Sequence, residues 1–123
     1  MIGPDKGLQY QSEDLARKLN LVDDVDFVGP VTNKELESYY HSHAVYLNTT
    51  SYESFGTAVV EAAATALPSV SSKVGELPYI WENKQNILFA EELGAEYFAK
   101  QVRVILNNGE FAQQLGLAAA KRV

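Results

Sequence analysis

Apolar residues fall along this chain in two kinds of run that take turns. Short β-branched or aromatic stretches, Val25-Asp26-Phe27-Val28, Ala44-Val45-Tyr46-Leu47, Ser69-Val70-Ser71-Ser72 and Asn86-Ile87-Leu88-Phe89, read as strands. Gly29-Pro30 closes the first as an exit turn. Between them the spacing is helical. Ser12 stands ahead of Glu13 and Asp14, acids suited to a first helical turn, and Leu15 and Leu19 follow on one face. Thr32 or Asn33 can cap the next segment, in which Leu36, Tyr39 and Tyr40 share a face. Phe55 to Ala66 is almost continuously apolar and ends before Pro68. In the tail, Tyr97, Phe98, Val102, Ile105 and Leu106 form one stripe, Asn107-Asn108-Gly109 interrupts it, and a helix resumes from Phe111 to Ala120.

Strand and helix in alternation predict an α/β fold: a Rossmann-like parallel sheet built from right-handed crossovers, with helices on both faces. Open sheets of this kind take ligands at the carboxyl ends of their strands. The loops after Val28, Leu47, Val70 and Phe89 are therefore the places to seek chemistry. Nothing resembling a linker or repeat divides the chain, so a single domain over residues 1–123 is expected. It is expected to be incomplete, because Ile2-Gly3 reads as the last residues of a strand whose body lies upstream.

Composition narrows the function classes. Sixteen acids against ten bases give a net charge of −6, which argues against binding nucleic acid or an anionic membrane through bulk electrostatics. A local anion site made of backbone N–H groups does not register in that count. With no cysteine, a disulfide framework, a thiolate metal site and thiol catalysis are excluded. No run approaches the roughly 20 apolar residues of a membrane span, and Met1-Ile2-Gly3-Pro4-Asp5 is unlike a signal peptide. The expected setting is cytoplasmic.

Chemistry concentrates in Glu53-Ser54-Phe55-Gly56-Thr57-Ala58-Val59-Val60-Glu61. The segment follows a strand and starts a helix, where unpaired amides and the macrodipole favour an anion. Gly56 lets a ligand approach without a Cβ in the way. Thr57, Glu61 and Thr65 recur every four residues as a polar stripe on an apolar helix. The stripe is either a solvated edge or a place where a carboxylate accepts hydrogen bonds from sugar hydroxyls. Spacing leaves both open.

Two glutamates in this relation, with Phe-Gly after the first and Glu-Ala-Ala at the second, resemble the E-x7-E segment of GT-B glycosyltransferases related to glycosyltransferase family 4. The similarity runs on in the family's order through Val25 to Gly29, Glu35-Leu36 with Tyr39-Tyr40 and Ala44-Val45, Leu67-Pro68-Ser69-Val70, and Asn86 to Phe89. It implies the C-terminal, donor-binding half of a GT-B fold, truncated at its N-terminus. The enzyme would be a retaining hexosyltransferase of glycan or polysaccharide synthesis that uses a nucleotide-diphosphate sugar and no metal. Carried over by position, Glu53 would act at the donor sugar near the reacting carbon. Phe55, Gly56 and Thr57 would offer amides to the sugar or diphosphate, and Glu61 would bind the ribose hydroxyls. Gly29, Pro30 and Val31 would lie near the base.

The resemblance also implies what lies outside the chain: an N-terminal acceptor domain and a basic pair that neutralises the leaving diphosphate. Without them the isolated chain is expected to be inactive. Peripheral membrane association of the full-length protein is compatible with such a role. One departure stands out, because the family's second glycine after the third strand is Glu76, following Gly75, and its charge threatens to crowd a diphosphate. The rival readings are another GT-B enzyme, such as a nucleotide-sugar epimerase, and a non-catalytic module that binds a nucleotide or a protein. Other features carry less. His41 and His43 lack metal-ligand company, Ser51 and Ser54 lack a nucleophile's setting, and Tyr79 and Trp81 are expected to pack.

Overall fold

Asp5, and not Ser12, leads the chain into its first helix, α1 (Gln9–Lys18). One oxygen of its carboxylate accepts from the amides of Gly7, Leu8 and Gln9 at 2.7, 3.1 and 3.1 Å. The hydrogen bonds from Gln9 and Gly7 hold this carboxyl below the usual aspartate range. Ser12 lies inside the helix and donates to the Leu8 carbonyl at 3.0 Å. The expected apolar face is also turned. Ala16 is buried, whereas Leu15 and Leu19 are 55 % and 57 % exposed. A computed structural model describes all 123 residues and divides them into two compact units, Met1–Leu36 and Glu37–Val123.

In the first unit Val25 to Val28 is extended and alternates as a strand should, with Val25 and Phe27 half-buried and Asp26 and Val28 exposed. The expected strand shrinks to one parallel bridge between Ile2 and Gly29, because the facing segment supplies few ladder bonds. Val28 donates to the Met1 carbonyl and Gly3 to the Gly29 carbonyl, both at 2.9 Å. Thr32 caps helix α2 (Asn33–Ser42) through a reciprocal capping box. Its amide donates to Glu35 Oε2 at 2.8 Å, and the Glu35 amide donates to Thr32 Oγ1 at 3.3 Å.

The second unit is a three-stranded parallel sheet in the order β1-β2-β3, formed by β1 (Tyr46–Asn48), β2 (Ser69–Ser71) and β3 (Leu88–Phe89). Leu47 pairs with Val70, and Val70 with Leu88. Between them run α3 (Thr57–Ala64) and α4 (Leu77–Ile80), and α5 (Ala95–Asn107) and α6 (Gly109–Ala120) follow. Neighbouring strand residues feed different cores. Phe89 joins Val59, Ala63, Leu77, Trp81, Ile87 and Ala119, while Leu88 joins Val70, Ala90, Phe98, Ile105 and Leu115. Trp81 packs as expected, but Tyr79 points to solvent at 82 % exposure. Gly116 lets α6 lie flush on the turn after α3, since a Cβ there would stand 2.0 Å from the Ala66 carbonyl oxygen. No helix is long and apolar enough to cross a membrane.

Candidate functional site

The carboxyl ends of parallel strands bring two loops together. Asn48 ends β1 and donates through Nδ2 to Ser71 Oγ at 3.1 Å, and Ser71 donates in turn to the Ser72 carbonyl. These groups are buried, so the loops leaving β1 and β2 start from a fixed, hydrogen-bonded base. Further along, the loops interlock. Gly75 has φ +57°, and a Cβ at that position would stand 1.6 Å from the Glu53 carbonyl oxygen. The Glu76 amide donates to the Ser54 carbonyl at 3.2 Å. Gly56 is buried at φ +80°, with Leu77 Cδ2 2.5 Å from where its Cβ would be.

This left-handed residue sets the start of α3 at Thr57, two residues after Phe55. The first amides to bond inward are those of Val59 and Val60, both to the Gly56 carbonyl, at 2.9 and 3.2 Å. No side chain caps the helix. The amides of Phe55, Gly56, Thr57 and Ala58 consequently donate to no protein acceptor. They form a cluster of partial positive charge at the helix's positive end.

Two carboxylates flank that cluster. Glu53 is half-buried, and its Oε1 accepts from the Ser54 amide at 3.0 Å. Glu61 is exposed, one turn into α3, and its Oε2 accepts from the Tyr40 hydroxyl at 3.1 Å. Tyr40 is buried, with its ring edge-on to Tyr46 at 5.9 Å. Burial, the hydrogen bond to Glu61 and that residue's charge push the Tyr40 phenol upward. Burial, followed by the charges of Glu53 and Glu61, raises Tyr46 to about 12. The hydroxyl of Tyr46 therefore sits in the field of both acids.

These shifts predict an alkaline weakening of the fold. Above the ordinary tyrosine value of 10.0 the unfolded chain gives up phenolic protons that the folded chain keeps. Stability is therefore full below pH 10 and falls as pH rises towards about 12. Urea titrations across that range, followed with phenolate absorbance, should show the loss, and Tyr46→Phe should blunt it. A stability that stays level throughout would contradict the environment described for these rings.

The structure thus gathers Glu53, Phe55, Gly56, Thr57 and Glu61 at one strand-to-helix turn. Gly29, Pro30 and Val31 belong to the first unit, where the Gly29 carbonyl is taken by the Gly3 amide. Sequence reasoning passed over Tyr40 and Tyr46 as partners of the acids, because α2, β1 and α3 meet only in the folded unit. It also passed over the interlock at Gly75. Glu76 is exposed with an ordinary helical backbone, φ −81° and ψ −11°.

Comparison with known proteins gives this turn a context. Residues 1–122 match the family described as glycosyl transferases group 1. The chain is 29 % identical over 106 residues to D-inositol 3-phosphate glycosyltransferase of Streptomyces griseus, covering 86 % of this chain and 22 % of that enzyme. It superposes on sucrose-phosphate synthase of Thermosynechococcus elongatus with a TM-score of 0.90 and 28 % identity, over 98 % of this chain and 32 % of that one. It shares its fold with Anabaena HepE, whose structure holds UDP, at a TM-score of 0.86 and 20 % identity, over 98 % of this chain and 34 % of HepE. The chain spans about a quarter of the length of such curated relatives. Matched along nearly all of its residues, it belongs to the group 1 family of glycosyl transferases and carries a GT-B Rossmann-like fold.

Proposed function

We propose that this chain is the donor-binding, C-terminal portion of a retaining glycosyltransferase of glycan or polysaccharide synthesis. The observation that carries this reading is the row of amides from Phe55 to Ala58 without protein acceptors, set between the carboxylates of Glu53 and Glu61. Such amides suit the pyrophosphate of a nucleotide-diphosphate sugar. Glu61 accepts from the ribose hydroxyls, and Glu53 acts at the donor sugar close to the carbon that changes partners. UDP in HepE supports a nucleotide diphosphate as the common element.

Binding and turnover separate in this reading. Transfer also requires an acceptor domain and cations for the departing diphosphate, both assigned to sequence outside residues 1–123, so the chain alone binds donor without appreciable turnover. The whole enzyme works in the cytoplasm, with peripheral contact to a membrane where its acceptor demands it.

Calorimetric titration with UDP, GDP and ADP tests the donor site. One nucleotide should bind, and Glu61→Ala should weaken it by about 10- to 100-fold, the scale of one hydrogen-bonded charge at about 1.5–3 kcal/mol. The variant also removes the acceptor of the Tyr40 hydroxyl, so it should lose about 1 kcal/mol of stability and is titrated well below its melting temperature. Unchanged nucleotide affinity in Glu61→Ala would reject the role assigned to it.

A further inference from the structure

We propose that Tyr40 is a positioning residue for the nucleotide site, holding the Glu61 carboxylate in the orientation that receives the two hydroxyls of a ribose. The inference rests on the reading of Glu61 given above and adds a residue that does not itself touch the ligand. Glu61 is exposed, and an exposed glutamate explores several rotamers that a ligand must otherwise restrict on binding. The Tyr40 hydroxyl, 3.1 Å from Oε2, is the hydrogen-bond donor that restrains it. Tyr40 cannot follow a wandering partner. Its ring is buried, stands edge-on to Tyr46, and places its oxygen 3.5 Å from the Ala58 carbonyl at the start of the same helix.

The stoichiometry also fits. A carboxylate offers about four lone-pair sites on two oxygens, and a phenol uses one of them. Oε1 and the remaining site on Oε2 are left to accept from a pair of neighbouring hydroxyls. A phenol donating to a carboxylate makes a charge-assisted bond, so the restraint persists in water better than a neutral contact would. A phenol is protonated throughout the neutral range, so the donor proton is in place.

A purely structural brace between Tyr40 and α3 would make the same hydrogen bond, so the test must read the ribose itself. Binding of UDP and of 2′,3′-dideoxy-UDP is measured by calorimetry for the 123-residue chain, for Tyr40→Phe, for Glu61→Ala and for the double variant. The parent should prefer UDP by about tenfold or more, the scale of hydrogen bonds to a charged acceptor. Tyr40→Phe should weaken UDP by about 3- to 10-fold, leave the dideoxy nucleotide unchanged, and add nothing in the Glu61→Ala background.

Equal weakening of both nucleotides would make Tyr40 a brace and overturn the proposal, as would a Tyr40→Phe variant that keeps the parent's full preference for UDP. A parent that binds neither nucleotide, or binds both alike, would remove the ribose role of Glu61 and the positioning role with it. That outcome is distinct from failure of the positioning alone, in which the parent discriminates and Tyr40→Phe discriminates just as well.

Discussion

Gly75→Ala is expected to cost about 3–5 kcal/mol, a large share of the roughly 5–15 kcal/mol that holds an ordinary domain folded. Two effects combine. The residue sits at φ +57°, where a Cβ costs about 1–2 kcal/mol. That Cβ would also lie 1.6 Å from the Glu53 carbonyl oxygen, and both sides of the clash are backbone, so no side chain can swing aside. Relief requires the two loops to part, which takes with it the hydrogen bond from Glu76 to Ser54. Urea denaturation gives the loss directly. On the donor-site reading proposed above, whatever folds should also bind nucleotide poorly, since Glu53 to Gly56 will have moved. A melting temperature equal to the parent's would show that the loops do not interlock as described.

Leu77→Ala should come next, at about 2–5 kcal/mol, the range for emptying a leucine from a packed core. Leu77 is fully buried among Val59, Ala63, Trp81, Ile87 and Phe89. Its Cδ2 also fills the space where a Cβ on Gly56 would stand, so its removal leaves the turn before α3 unsupported. Leu117→Ala is the matched control, because that leucine is 49 % exposed and should change stability by about 0.5 kcal/mol or less. Similar losses in the two variants would mean that Leu77 does not anchor this core.

How far the sequence could be read depended on where each signal is stored. From Ala44 onward, strands and helices are announced locally: the short apolar run Ala44 to Leu47 leading into β1, Val70 at the centre of β2, the apolar run of α3, and the Asn108-Gly109 break before α6, where Asn108 accepts from the Phe111 amide. The first 36 residues were harder. Leu15 and Leu19 share a helical period yet stay exposed while Ala16 is buried, so their period did not mark the buried face. Val25 to Val28 has the composition of a strand, but a ladder also needs a facing segment, and the single bridge formed is between Ile2 and Gly29, just past its end. The turn from Glu53 to Glu61 was visible because its signal is contiguous. Its supports, Tyr40, Tyr46, Gly75 and Leu77, come from separate stretches, and no periodicity connects them.

Residues 75 and 76 stand side by side under opposite constraints. Gly75 is locked to its chemical identity by the backbone it touches, whereas Glu76 occupies a conformation that any L-amino acid adopts freely. The electrical setting beside the turn is thereby decoupled from the scaffold. A single codon can swap negative for neutral or positive at that spot while the frame stays as it is, which makes position 76 an adjustable dial mounted next to an immovable hinge pin.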